Sequence, residues 1–413
     1  MQEWRGRDHA TGTHATGAAD SAAFLAGIDA LLPSIRERAG AAEQGGRVPA
    51  ESIAALTEAG IFRATQPRQW GGLELDHATF YDAAIRIASA CPSTGWVASV
   101  VGIHPWQIAL FPEQGQADVW RADPDARASS SYAPTGKVER VADGFLLSGR
   151  WHFSSGVDHC SWVMLGGVVA EDAHGPAEFR TFLVPRADFA IDHASWAVTG
   201  LAGTGSKDVL LAGAVVPEHR THRITDVHRG TDPGLAVNGR PYFRLNWRLA
   251  FAATIAAPAI GAALGAVEAF VAQNRQRVSS YGGPSVARNP ALYRPLAAAR
   301  VEVASARARM RAAWTEMTAA EEAGAPVPYG ERVRYLYEFA HAHETCSAAV
   351  FALQALGGGR TMRADNPFQR FLRDLMAMRN HPAADIGFAA TLYAQAQLGL
   401  PPAPFVPTSR VVL

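Results

Sequence analysis

Cysteine is scarce in this chain. Cys91, Cys160 and Cys346 are its only three, they lie far apart, and none belongs to a CxxC pair. That spacing argues against a disulfide framework or a thiolate metal site and fits a reducing cytoplasm. Net charge is absent too: 38 basic residues face 38 acidic ones, with no basic run. Nucleic acid and anionic membranes are therefore not expected partners. No HExxH, GxSxG or paired-carboxylate pattern stands out, which leaves hydrolase and metal readings with little support and no metal site expected. A Walker loop and a dinucleotide fingerprint are also missing. The opening "MQEWRGRDHATGTHATGAAD" has no apolar stretch of the kind a signal peptide carries, so residues 1–20 are expected to form a flexible tail. The long uncharged run "LAFAATIAAPAIGAALGAV", residues 249–267, is mostly Ala and Gly and contains Pro258. It reads as a helix buried in a bundle rather than a membrane span.

What is present is a change of period along 413 residues that are 48% hydrophobic. From 21 to 125 apolar residues recur at helical spacing. Phe24, Ile28, Leu31 and Leu32 form one face, Gly40 offers a stop, and a break is expected around Pro92–Gly95. From 126 to 235 short runs such as "GFLLSGRWHF" and "DVLLAGAVVP" are separated by Gly, Asp and Pro, with a turn at Asp143-Gly144. That texture predicts antiparallel strands. From 236 to 413 alanine-rich helical periodicity returns, as in a helix bundle. The expected fold is α+β: a helical domain, a central antiparallel β domain, then a four-helix bundle.

Within this frame the stretch "GRWHFSSGVDHC", residues 149–160, concentrates aromatic, imidazole and hydroxyl groups. "SSSYAPTGK" (129–137) and "GTGSKD" (203–208) offer hydroxyls and turn backbone suited to a cofactor edge or a phosphate, and equally to solvated turns. "LGGGR" (356–360) has more glycines than a helix cap requires. His104 in "VVGIHPW" and His381 in "RNHPAAD" sit beside breaks, where two imidazoles could converge as acid–base groups. On its strand His152 should alternate with Trp151 and Phe153, so that only one set faces inward.

The order of segments, with "ACPSTGWVASV", "GFLLSGRWHFSSG", "GLAGTGSKDVLLAGAVVP" and "GGGRTMRADNPFQRFLRD", resembles the acyl-CoA dehydrogenase fold over roughly residues 25–400. "GIHPW", "SSSYAPTG", "WHFSSGVDHCSW" and "RNHPAAD" are most similar to one branch of it, the two-component flavin-dependent aromatic monooxygenases (group D). That branch includes secosteroid and 4-hydroxyphenylacetate hydroxylase oxygenase components and indole-oxidising relatives. The dehydrogenases carry a glutamate base. Here "RFLRDLMAMRNHPAADIGFAATLY" has none, offering His381, Asp374 and Asp385, and the earlier bundle helix has only Glu268.

The resemblance implies a reduced flavin (FADH2 or FMNH2) and O2 as cofactors. Hydroxylation of a phenolic or indolic substrate would proceed through a flavin C4a-hydroperoxide. Catalytic roles fall to His104, Ser130, Ser155 and His381. In these roles Ser155 faces flavin N5, His104 and Ser130 meet the substrate's polar atom, and His381 lies near the reactive side of the ring. Flavin contacts are expected from Tyr132, Ala133, Thr135, Phe153, Ser155, Thr204, Ser206 and Arg248. Gly357, Gly358 and Gly359 are expected to reach the flavin from a neighbouring subunit of a homotetramer or dimer. Trp151 or Phe153 would wall the ring. His104, Trp106, Ser130 and Trp196, with Phe111, would line the substrate pocket. A separate NAD(P)H:flavin reductase would supply the reduced flavin. An amine or amino-sugar N-oxygenase, an acyl-CoA dehydrogenase and a non-catalytic flavin-binding oligomer remain alternatives.

Overall fold

The computed structural model describes residues 14–275, 277–278, 285–402, 404 and 406–407. Five helices come first: α1 (His14–Gly45), α2 (Ala50–Glu58), α3 (His77–Ala90), α4 (Pro92–Ile108) and α5 (Glu113–Trp120). The helix α1 begins inside the stretch expected to be a tail and runs through the half-buried Gly40, because one glycine costs a helix only about 1 kcal/mol. Residues 1–13 of the expected tail lie outside the described residues. Cys91 alone separates α3 from α4, with Pro92 at the first turn of the new helix, where its missing N–H costs nothing.

Eight strands follow: β1 (Ala128–Ser131), β2 (Lys137–Val141), β3 (Gly144–Ser154), β4 (Trp162–Val169), β5 (Glu178–Pro185), β6 (Ala190–Asp192), β7 (Lys207–Val216) and β8 (Thr221–Arg223). They form two sheets of order β1-β4-β5-β8 and β2-β3-β7-β6. The β2–β3 hairpin closes at the Val141–Gly144 pair, where the expected turn lies. The sheets are not purely antiparallel as the sequence suggested, because β1 pairs parallel with β4. The chain leaves β1, builds the hairpin in the other sheet and only then returns, and such a crossover permits a parallel pair.

The Trp151 ring is fully buried between the sheets, with Phe145, Leu147, Leu165 and Phe182. Its indole N–H donates to the Gly166 carbonyl at 2.8 Å. Trp151→Ala should therefore cost about 3–5 kcal/mol of stability, read as a lower urea midpoint.

A short helix α6 (Ile224–Arg229) precedes the bundle of α7 (Trp247–Arg275), α8 (Tyr293–Glu322), α9 (Tyr329–Gly357), α10 (Pro367–Arg379) and α11 (Ile386–Gln397). One continuous apolar core runs from the N-terminal helices through the bundle. Among the described residues α7 is the only helix long and apolar enough to cross a membrane, and most of it is buried inside the protein. Its glycines let α3 approach closely: a Cβ on Gly261 would stand 2.2 Å from the Ile85 carbonyl oxygen, and one on Gly265 2.3 Å from that of Ser89. This tight seam holds α3, and α4 after it, against the bundle.

Candidate active site

Three elements meet where α4 passes beneath the β domain and α7. On α4, His104 is buried, and its Nδ1 lies 2.6 Å from the Ala128 carbonyl oxygen at the start of β1. A carbonyl can only accept, so Nδ1 carries the proton and Nε2 presents a lone pair. Burial pushes the His104 imidazole down to about 4, only partly opposed by the bond to Ala128. This histidine is neutral at physiological pH.

His381 has the opposite arrangement. It caps the single turn Pro382–Ala384, its Nδ1 accepting from the Ala383 N–H at 3.1 Å. In the neutral ring the proton then sits on Nε2, which is a donor. The proline after His381 sets up this cap, which is why "NHP" fixes the ring.

Aromatic contacts connect the two imidazoles. His104 lies 6.4 Å from Tyr132, Tyr132 5.6 Å from Phe251, and Phe251 5.7 Å from His381, ring centroid to centroid. Trp247 stacks on Phe251 at 5.5 Å, and Trp96 meets His381 edge-on at 5.7 Å. The Trp96 indole N–H donates to Ser155 Oγ at 3.0 Å. Ser155 is 2.8 Å from Ser206 Oγ, which is 2.6 Å from Thr204 Oγ1, and Thr204 donates to the Leu201 carbonyl at 2.8 Å. His104, Tyr132, Ser155, Thr204, Ser206 and His381 are thus brought together. Ser130, buried on β1 two residues from Tyr132, belongs to the same wall.

Several expectations are corrected. Trp106 and Phe111 are engaged in contacts outside the group just described. The Trp106 N–H is taken by the Tyr242 carbonyl at 3.1 Å and its ring packs on His77, while Phe111 packs on His222. Two positions along a helix turn the side chain about 200°, so Trp106 faces away from His104. Trp151 is the inter-sheet core described above, not a wall of the site.

Strict alternation also fails. Three steps of β3, Trp151 to Ser154, span only two of β7, Val209 to Lys207. This bulge leaves Phe153 at φ 63° and 71% exposed, next to the half-buried Trp196 at 6.2 Å. His152 also faces out, bonding Asp208 at 2.8 Å. A bulky residue at positive φ is costly and marks a shaped position. Phe153 and Trp196 form an aromatic pair at the surface.

Thr135 is exposed, its hydroxyl donating to the Arg150 carbonyl at 2.6 Å, and Ala133 is half-buried. Arg248 is buried on α7, its guanidinium 5.8 Å from the Phe388 ring. Gly357, Gly358 and Gly359 end α9, where Arg277 binds the Gly357 carbonyl at 2.9 Å. Among the described residues no hydrogen bond joins them to the Ser155 network. Glu268 is well exposed and pairs with Arg36 at 3.9 Å, so it is no buried base.

Asp374, named in the sequence without a role, sits on α10. Its Oδ1 accepts from the Leu201 N–H at 2.6 Å, fixing the residue whose carbonyl ends the hydroxyl chain. Burial pushes this carboxyl up to about 7, and Oδ2 has no hydrogen-bond partner among the described residues. The folded chain thus holds the proton more firmly than the unfolded one. The resulting stability is full below the ordinary value of 3.8 and is lost as pH rises toward about 7. Asp374→Asn should match the native chain near pH 4 and exceed it by a few kcal/mol at pH 8, measured as urea midpoints at both pH values.

Trp96, Phe251 and Gln107 were missed in the sequence. Trp96 lies in a stretch recognised only as a family marker. Gln107 accepts from the Tyr132 hydroxyl, and its buried Nε2 has no partner among the described residues.

This architecture is that of the acyl-CoA dehydrogenases. Profiles of the acyl-CoA dehydrogenase N-terminal and C-terminal domains match residues 29–122 and 253–386. The chain is 40% identical over 382 residues to the flavin-dependent monooxygenase oxygenase subunit HsaA of Rhodococcus jostii (strain RHA1), spanning 91% of this chain and 98% of that protein. It is 34% identical to the p-hydroxyphenylacetate 3-hydroxylase oxygenase component of Acinetobacter baumannii, over 95% of this chain and 93% of the relative. The crystal structure of 3-HSA hydroxylase from Rhodococcus sp. RHA1 superposes with a TM-score of 0.88 at 39% identity, covering 93% of this chain and 99% of that one. The chain belongs to the flavin-dependent monooxygenase oxygenase components built on the acyl-CoA dehydrogenase fold.

The residues present fit the flavin that this family uses. A flat ring with one polar edge needs apolar walls and a few fixed polar atoms. Trp96, Trp247, Phe251 and Tyr132 would supply the walls. Ser155 would supply a fixed oxygen, and the buried Gln107 Nε2, without a partner among the described residues, would supply a donor.

Proposed function

We propose that this enzyme hydroxylates a phenolic or indolic ring, using O2 and a reduced flavin delivered by a separate NAD(P)H:flavin reductase. The observation that carries this reading is the polarity of His104, a buried neutral imidazole fixed through Nδ1 on the Ala128 carbonyl and linked by aromatic contacts through Tyr132 and Phe251 to His381. The His104 Nε2 lone pair suits a substrate O–H or N–H, and the His381 Nε2–H suits an oxygen acceptor. When bound, the reduced flavin supplies the two electrons by which one oxygen atom enters the ring and the other leaves as water.

The chain's own groups do the rest. His104 draws on the substrate's proton and so pushes electron density into the ring, where an electrophilic oxygen attacks. With its basicity lowered by burial, it polarises that bond rather than storing the proton. Ser130 supports the same polar atom from β1. Ser155, with Ser206 and Thr204 behind it, holds flavin N5, and His381 donates on the oxygen side. The aromatic walls keep water out, which protects the reaction from wasteful peroxide release. Tyr132, Ala133 and Thr135 follow the ring edge, with Arg248 as the nearby positive charge and Phe153 and Trp196 at the mouth. Gly357–Gly359 complete the flavin site of a neighbouring subunit in a homotetramer or dimer.

The test is isotopic. With dithionite-reduced FAD or FMN, 18O2, a panel of phenols and indoles and no NAD(P)H, one labelled oxygen atom should enter the aromatic product. Peroxide alone across the whole panel would overturn the reading.

A further inference from the structure

The hydroxyl chain behind Ser155 has a direction, set by its two ends. At one end Thr204 Oγ1 lies 2.8 Å from the Leu201 carbonyl oxygen. Two oxygens that close repel unless a proton lies between them, and the carbonyl has none to give, so the Thr204 proton points to Leu201. Thr204 then has no proton for Ser206 at 2.6 Å, and Ser206 must donate to it. By the same logic Ser155 must donate to Ser206 at 2.8 Å. At the other end the Trp96 indole, a donor only, gives its N–H to Ser155 at 3.0 Å. Ser155 has therefore spent its single proton and one lone pair, and what it can still present is a second lone pair.

We propose that the Thr204–Ser206 relay locks Ser155 as a hydrogen-bond acceptor, so that this site selects reduced over oxidised flavin. The inference rests on the reading that Ser155 faces flavin N5. Reduced flavin carries a hydrogen on N5 and can donate to Ser155. Oxidised flavin has a bare N5 lone pair, which would face a lone pair on Ser155. The same relay thus favours capture of the incoming reduced cofactor and release of the spent one. Ser206 and Thr204 act as positioning residues, through Ser155. Asp374 anchors the far end by holding the Leu201 N–H at 2.6 Å.

The test measures binding, not turnover. Dissociation constants for reduced FMN and FAD are taken anaerobically, those for the oxidised forms in air, and the ratio Kd(oxidised)/Kd(reduced) is compared. A purely structural defect weakens both forms together and leaves the ratio alone. Ser206→Ala frees the Ser155 proton to turn toward N5, so the ratio should fall about 3- to 10-fold, the worth of one neutral hydrogen bond. A tenfold fall lowers the potential of the bound flavin by about 30 mV. Ser206→Thr, which keeps a hydroxyl, should restore the native ratio. Thr204→Val, breaking the chain one link further back, should lower it in the same direction and serves if Ser206→Ala does not fold. An unchanged ratio in Ser206→Ala and Thr204→Val, beside a lowered one in Ser155→Ala, would overturn the relay and leave Ser155 at N5. Unchanged binding of both redox forms in Ser155→Ala would instead remove the premise that Ser155 faces the flavin.

Discussion

His104→Ala should lower aromatic hydroxylation by about 10²–10⁴-fold, the usual worth of a positioned acid–base group, while reduced-flavin binding stays near the native value. Oxygen consumption should continue, with hydrogen peroxide replacing the hydroxylated product. The reasoning starts from polarity. Only one ring nitrogen of His104 can face a substrate, because the other is committed to the Ala128 carbonyl at 2.6 Å. Removing the ring removes the acceptor that draws electron density into the substrate, but it does not touch the Trp96–Ser155–Ser206–Thr204 network. The pH profile separates this role from full deprotonation by a free base. With the imidazole held down to about 4, rates governed by His104 should stay flat from pH 8 to 6 and fall only on approach to pH 4. A limb near 6.5, the ordinary imidazole value, would show instead that His104 titrates freely.

The second large effect is acid lability. Burial pushes His77 down to about 3 and His104 and His343 down to about 4. His77 and His343 have no hydrogen-bond partner on either ring nitrogen among the described residues. His77 is stacked on Trp314 at 4.7 Å and behaves as one more aromatic ring. Between pH 6.5 and 4 the unfolded chain binds a proton at each of these three sites and the folded chain does not, so stability falls as pH falls. Asp374 works the other way over the same range, because its folded carboxyl keeps a proton that the unfolded chain has shed. Three sites against one leave a net loss of roughly 3 kcal/mol per pH unit. Two such units amount to about 5–6 kcal/mol, the lower end of the 5–15 kcal/mol that a domain commands. An acid titration followed by circular dichroism should show cooperative unfolding between about pH 4 and 5. His77→Phe should remove about 1.4 kcal/mol per pH unit from that slope. An unaltered slope would mean that His77 is protonated without unfolding the chain.

The α, β, α order was legible because helical and strand periods differ, and the punctuation at Pro92 and Asp143-Gly144 fell where the chain turns. The hydroxyls of Ser155, Ser206 and Thr204 and the two histidines were also nameable, as was the absence of a glutamate from the stretch "RFLRDLMAMRNHPAADIGFAATLY". Hidden from the sequence was everything that depends on one extra residue or on a distant partner. A bulge between Trp151 and Ser154 turns Phe153 out of the face it would otherwise share with Trp151, and period-two reasoning cannot foresee it. The proton-bearing nitrogen of each imidazole is chosen by a backbone group, the Ala128 carbonyl for His104 and the Ala383 N–H for His381. Trp96 reaches Ser155 across 59 positions of sequence, and Asp374 reaches Leu201 across 173. Trp106 was misplaced for a simpler reason: nearness in sequence to His104 is not nearness in space on a helix.

The buried α7 also bears on how the chain is made. A ribosome releases this long apolar helix only after α3 and α4, against which much of it packs, have already emerged. Its close seam on Ile85 and Ser89 can therefore form at once. The α9 face must wait for about 50 further residues, some seconds at the usual pace of synthesis. During that interval half of a segment greasy enough to enter a bilayer is sheltered by the amino-terminal helices alone. Moving those helices to the carboxyl end by circular permutation would leave α7 naked in the tunnel's mouth, and the yield of soluble protein should drop even if the finished fold were equally stable.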